Sequence, residues 1–170
     1  MDTDTTRVQA TQLLLRHPLA TDGLAVHRLI AGCAPLDTNS AYCNLLQCLH
    51  FADTCMLAEE DDEVLGFVSA YRKPTDPDTL FVWQVAVDER ARGKRLARTL
   101  LDAILSSPGA EGVKVIETTI TADNAASWAL FDGLARDKGQ DKGERHVLFD
   151  QSRHFGGLHG SEILYRITLG

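Results

Sequence analysis

Between Leu80 and Leu105 the chain reads LFVWQVAVDERARGKRLARTLLDAIL, and its middle has the makings of an anion site. An apolar, strand-like run ends at Val87. A short basic turn around Gly93 follows, and leucines at helical spacing begin at Leu96. The first amides of a helix have no partner within it, and the helix dipole adds partial positive charge there. Glycine at position 93 keeps a Cβ away from an approaching phosphate. Arg92, Lys94 and Arg95 add full charges around it. The stretch contains neither the Gly-x-x-x-x-Gly-Lys-Ser/Thr of a P-loop nor the Gly-x-Gly-x-x-Gly of a dinucleotide site. A pyrophosphate held by neither device points to coenzyme A. The competing reading is a helix face whose charges serve solubility.

Other chemistry is thinner. Cys33, Cys43, Cys48 and Cys55 contain no Cys-x-x-Cys couple, and the six histidines no His-x-x-x-His couple. No metal is therefore expected, and the thiols read as free and partly buried. The net charge of −7 disfavours nonspecific nucleic-acid binding. Against that background, five cations between Arg90 and Arg98 (with Arg92, Lys94 and Arg95 between them) suit a local anionic ligand. The acidic run Glu59 to Glu63 reads as a solvated turn.

At 170 residues the chain suits one domain with its own core, residues 1–11 forming a flexible segment before it. No apolar run approaches the roughly 20 residues that span a bilayer. The opening MDTDTTRVQAT lacks a secretory pattern, so a cytoplasmic protein is expected. Periodicity predicts a strand over Gln12–Arg16, a helix over Thr21–Ala31, and a second apolar helix to about His50, with capping side chains between Asp37 and Ser40. Thr54–Glu59 and Val64–Tyr71 form a hairpin, and Lys73–Thr79, with two prolines, a loop. Leu80–Val87 is apolar on both faces apart from Gln84, so it should lie centrally and be covered on both sides. A helix over Lys94–Ser106, a strand over Val113–Ile120, a helix capped by Asp123 or Asn124, and strands over Arg145–Phe149 and Glu162–Thr168 complete the chain. The order β-α-α-β-β-β-α-β-α-β-β is that of a mixed sheet flanked by helices, an α/β or α+β domain.

The run Arg90-Ala91-Arg92-Gly93-Lys94-Arg95-Leu96-Ala97 resembles the Gln/Arg-x-x-Gly-x-Gly/Ala signature of the GNAT superfamily of N-acetyltransferases, with Arg95 where a small residue is usual. Asn124-Ala125-Ala126-Ser127-Trp128-Ala129-Leu130-Phe131 resembles that family's helix start beside the pantetheine arm. The resemblance implies the acyl-CoA N-acyltransferase fold and acetyl-CoA as co-substrate. It also implies that the strand bearing Val85, Ala86 and Val87 splays from its neighbour, so that pantetheine bonds its backbone as an added strand. Arg92, Gly93, Lys94, Arg95, Leu96, Ala97, Asn124, Ser127 and Phe131 would complete that site. Many members protonate the leaving thiolate with a tyrosine where this chain has Phe131.

A narrower resemblance runs from about Leu13 to Ile167. Pro35 to Tyr42, His50 to Cys55, Asp78 to Val87 and Glu117 to Ser127 are similar to the diaminobutyrate acetyltransferase family of ectoine synthesis. It implies L-2,4-diaminobutyrate as acceptor, with two ammonium groups and a carboxylate to be held. Asp37 and Glu162, with His159 as neighbour, would meet the charges, and Tyr42 and Trp83 would form an aromatic wall. Each has a bland alternative: Asp37 as a helix cap, Tyr42 and Trp83 as core, Glu162 and His159 as surface. Direct transfer is expected, with Asp37 or Glu162 accepting the proton of the attacking ammonium. Tyr42 or water would protonate the thiolate, or it leaves unprotonated. Rival readings are another acceptor (a polyamine, ornithine or lysine) or a non-catalytic acetyl-CoA sensor. A homodimer joined along Ile163, Tyr165 and Ile167 is also expected.

Overall fold

The computed structural model describes residues 12–170; the expected flexible segment over residues 1–11 lies outside them. Strand β1 (Leu14–Arg16) is followed by α1 (Gly23–Ala31) and α2 (Ala41–His50). Strands β2 (Met56–Glu60), β3 (Glu63–Lys73) and β4 (Asp76–Val87) come next, then α3 (Leu96–Leu105), β5 (Val115–Ile120), α4 (Ala125–Asp137), β6 (Glu144–Phe149) and β7 (Glu162–Thr168). One sheet holds all seven strands in the order β1-β2-β3-β4-β5-β7-β6. Its neighbours are antiparallel except β4 and β5, whose parallel register makes the sheet mixed.

Period-two alternation assigns the faces. Leu57, Phe67 and Ala86 point towards Val26, Leu29 and Ile30 of α1 and Cys48 of α2. Met56, Val68, Leu80, Val82 and Ile116 point the other way, onto Leu96, Leu100, Leu101 and Ile104 of α3 and Phe131 and Leu134 of α4. Gly66 lets α3 lie close to the sheet, since a Cβ there would come within 2.9 Å of Leu100 Cδ1.

Three expectations need correcting. The Lys73–Thr79 loop shrinks to a turn at Pro74 and Thr75, because the ladder shifts register beside it and so asks no N–H of Pro77. The carbonyl of Pro77 instead accepts from Arg72 at 2.8 Å. The cap of α2 lies within the expected stretch but is Ser40, its Oγ accepting from the Cys43 amide at 3.1 Å, so the alternative of Asp37 as the helix cap falls. Helix α2 also packs with its polar side inward. Asn44, Gln47 and Cys48 are buried, with Asn44 hydrogen-bonded to Gln47 and His27, while Tyr42, Leu45 and Leu49 face solvent.

Candidate active site

The strand β4 creates the site by leaving its neighbour. Its parallel pairing with β5 covers Thr79 to Val82 and stops, although β4 runs on to Val87 and β5 to Ile120. The cause is visible in the other ladder. Ser69 pairs with Gln84 and Ala70 with Val82, so Trp83 is an extra residue on β4. Such a bulge bends its strand and adds twist. It also places two successive side chains, Trp83 and Gln84, on one face of the sheet. Covering on both sides therefore ends at Val82, and Trp83 is 41% exposed.

A cleft of about 390 Å³ opens on the α3–α4 side of this gap. Val85, Val87, Arg92, Gly93, Arg95, Leu96, Ala97, Asn124 and Ser127 line it, together with Cys33 to Leu36. The Asp88 amide bonds the Leu65 carbonyl, and Ala86 stands opposite Phe67. By alternation the backbone of Ala86 is spent on β3, and that of Val85 and Val87 faces the open edge. The Val87 carbonyl already accepts from the Arg92 guanidinium at 3.3 Å and the Cys33 thiol at 3.4 Å.

At the floor of the cleft Gly93 has φ +75°, with nothing within 4 Å of where a Cβ would sit. Arg95 takes the N-cap position of α3 in a left-handed conformation, φ 61°, and no side chain caps the helix. Its first amides are thus left for a ligand, as an anion requires. Of the basic cluster, Arg90 is paired with Asp88 and Glu63, and Arg98 with Asp102 and Asp137. Arg92, Lys94 and Arg95 have no carboxylate partner among the described residues. The residues present therefore fit a pyrophosphate and an extended amide arm.

A second cavity of about 830 Å³ lies on the other face. It meets the first at Pro35, Leu36 and Asn124, which line both. Asn124 is fixed there as the N-cap of α4, its Oδ1 accepting from the Ser127 amide at 3.1 Å. Asp37, Trp83, His159 and Glu162 all line this cavity. His159 Nδ1 donates to the Gly160 carbonyl at 2.7 Å. Its Nε2 faces Asp37 Oδ2 at 3.1 Å and Glu162 Oε1 at 3.9 Å. Both ring nitrogens thus meet acceptors, an arrangement suited to the imidazolium. The Gly160 carbonyl first, and then the two carboxylates, raise the pKa of His159 above its ordinary value. The ring rests on Phe155 at 4.7 Å between centroids.

Three expected residues stand elsewhere. Tyr42 is 69% exposed on the outer face of α2 and lines neither cavity, so the aromatic wall is different. Phe51, Tyr71, Phe81 and Trp83 form it, with Tyr71 5.8, 5.4 and 6.2 Å from the other three rings. Phe131 is 2% exposed and packs against Tyr165 in the core, while Lys94 is exposed beyond the cleft lining. Tyr71 and Phe51 carried no sequence signal, because only the β3–β4 register and the turn after α2 bring them to Trp83. The expected dimer edge fails too: β7 lies between β5 and β6, and Tyr165 and Ile167 are fully buried.

The cysteines offer no nucleophile to the acceptor cavity. Cys33 lines the cleft alone. Burial pushes the thiols of Cys48 and Cys55 up to about 11 and 12 and raises that of Cys43. Among the described residues no three His, Cys, Asp or Glu side chains gather as a metal site.

Comparison with known proteins places this geometry. The model of the acetyltransferase (GNAT) family matches residues 25–134. An L-2,4-diaminobutyric acid acetyltransferase of Methylotuvimicrobium alcaliphilum is 53% identical over 155 residues, covering 91% of this chain and 90% of that protein. One from Vibrio cholerae is 51% identical over 156 residues, covering 92% and 90%. Among solved structures, the diaminobutyrate acetyltransferase of Paenibacillus lautus, in complex with its substrate L-2,4-diaminobutyric acid and coenzyme A, superposes with a TM-score of 0.86. It is 38% identical, over 94% of this chain and 96% of that one.

Proposed function

The chain belongs to the acetyltransferase (GNAT) family and, within it, to the L-2,4-diaminobutyric acid acetyltransferases, and we propose that it moves the acetyl group of acetyl-CoA to the 4-amino group of L-2,4-diaminobutyrate. The N4-acetyl product places it in ectoine synthesis. One observation carries this reading: a cleft suited to a pyrophosphate meets, through the β4–β5 gap, a cavity where two carboxylates converge on one imidazole.

Acetyl-CoA, when bound, supplies the acetyl group as a thioester. Gly93, the uncapped amides of α3 and the charges of Arg92 and Arg95 hold its pyrophosphate, with Lys94 adding charge from outside the cleft. The open backbone of Val85 and the amide of Val87 pair with the pantetheine arm, and Leu96, Ala97 and Ser127 enclose it. In the acceptor cavity Asp37 and Glu162 take up ammonium charge, and the Trp83 ring adds an aromatic face to it. The attacking amine must first lose a proton, since its ordinary pKa lies well above neutrality. His159, once neutral, presents the Nε2 lone pair between the carboxylates and accepts it. Transfer is direct: no cysteine lines the acceptor cavity, and Cys33, the cysteine on the cofactor cleft, donates its thiol to the Val87 carbonyl. Neither Phe131 nor Tyr42 lines the cleft or the cavity; water protonates the leaving thiolate, or it departs as the anion.

The test is release of free thiol from acetyl-CoA with 2,4-diaminobutyrate, beside ornithine, lysine, putrescine and no amine. Fast release with diaminobutyrate and an N4-acetyl product by NMR are expected. Preference for another amine would overturn the acceptor, and coenzyme A binding without turnover of any amine would turn the reading into a sensor.

A cytoplasmic homodimer completes the reading. No described helix is long and apolar enough to cross a membrane. The outer face of α2, with Tyr42, Leu45 and Leu49 exposed, and the edge strand β6, with Val147 and Phe149 exposed, offer apolar surface for a second copy. Light scattering should give about twice the 18.6 kDa chain mass; the single-chain mass would rule the dimer out.

A further inference from the structure

The residues that hold Asp37 are as informative as Asp37 itself. It lies in the stretch between α1 and α2, outside any helix or strand. Its side chain is 74% exposed, so packing does not fix it. The same stretch carries Pro35 and Leu36, which divide the two cavities. What ties its Asp37 end to the sheet is a single amide. Gln84 Nε2 donates to the Asp37 carbonyl at 2.8 Å, and Gln84 Oε1 accepts from Asn39 Nδ2 at 3.0 Å. Gln84 is 8% exposed, and both ends of its amide are used. A buried primary amide with donor and acceptor both satisfied is a rigid tie, because breaking either bond leaves a polar group unpaired. Gln84 reaches this stretch because the bulge at Trp83 turns both residues to the acceptor side.

We propose that Gln84 is the positioning residue of the acceptor site: its amide clamps the Asp37–Asn39 segment so that the Asp37 carboxylate stands against His159 and the incoming ammonium. The proposal deepens the acceptor reading above and rests on it. Gln84 itself lines the acceptor cavity, but with both ends of its amide spent on Asp37 and Asn39 it acts through that segment, 2.8 Å from the Asp37 carbonyl. Gln84→Met keeps length and volume but loses both bonds. Gln84→Glu keeps the bond from Asn39 and sets a carboxylate oxygen against the Asp37 carbonyl, acceptor against acceptor.

The experiment is steady-state kinetics of the full-length enzyme, with whichever amine the unaltered protein turns over. Gln84→Met should raise KM for the amine several-fold, up to the roughly 10-fold that loss of the exposed Asp37 charge itself costs, and leave KM for acetyl-CoA within about twofold. NMR titration of His159 should show its pKa falling towards the ordinary imidazole value as Asp37 drifts away. An unchanged amine KM, or an equal loss for both substrates with His159 unmoved, would overturn the proposal. If Gln84→Met does not fold, Asn39→Ala removes the other half of the clamp and should give the same split, smaller in size; no split there would overturn the proposal as well. If the unaltered enzyme ignores diaminobutyrate but accepts another amine, the acceptor identity fails and the clamp is judged on that amine.

Discussion

Glutamine in place of Glu162 is expected to lower kcat/KM for 2,4-diaminobutyrate by roughly 10²–10³-fold, about 3–4 kcal/mol, with KM for acetyl-CoA within about twofold. Glu162 begins β7, and its place beside the cavity is set by the β6–β7 ladder, where it stands opposite Phe149. Its side chain is 19% exposed, against 74% for Asp37. A carboxylate withdrawn from water holds an ammonium far more strongly than one screened by solvent, and removing it leaves the bound cation without a partner. Asp37→Asn should therefore cost much less, about 10-fold or below, as exposed pairs do. The comparison ranks two carboxylates that the sequence alone left level. Kinetics on both substrates, with calorimetric titration of coenzyme A as a check on folding, measure it. A rise in amine KM with kcat unchanged would mean that Glu162 binds ground and transition states equally. Equal losses from the two variants would show that burial is not what separates them.

The cofactor side was legible because its signals are local. A glycine at φ +75° and a helix start without a cap follow from a few consecutive residues. The acceptor side depends on contacts far apart in the chain. Gln84 stood out as the one polar residue in an apolar strand, but its partners lie 47 and 45 positions away. The bulge at Trp83 has no glycine or proline to announce it; it exists in how β4 pairs with Ser69 and Ala70. Helix α2 misled for another reason. Its apolar stripe through Tyr42, Leu45 and Leu49 reads as core, yet the hydrogen bonds of Asn44 with Gln47 and His27 allow the polar side to be buried instead. The order of strands β5, β7 and β6 likewise turned the expected dimer edge into interior.

His159 should control the pH dependence of the reaction. Its folded-state pKa is raised, chiefly by the Gly160 carbonyl and then by Asp37 and Glu162; Phe155, packed against the ring, contributes no charge. Below that pKa the imidazolium occupies both carboxylates and has no lone pair for the proton of the attacking ammonium. Above it the carboxylates are released to the substrate and Nε2 becomes an acceptor. Both effects act in one direction, so kcat/KM should climb as pH rises through a midpoint above 6.5, the unperturbed value. Stability runs the other way. A histidine whose pKa is raised on folding contributes stability that is complete below the unfolded value and lost as pH rises through the folded one. The protein should thus lose a little stability over the range in which it gains activity. His159→Gln should flatten the rising limb and cost roughly 10²–10⁴-fold in kcat, the range for loss of an acid–base group. Asp37→Asn should keep the limb but move its midpoint down. The deprotonation of the free amine adds its own rise at higher pH, and the His159→Gln profile isolates that contribution. A rising limb that survives unchanged in His159→Gln would assign the proton to one of the two carboxylates beside it, Asp37 or Glu162, 3.1 and 3.9 Å from His159 Nε2.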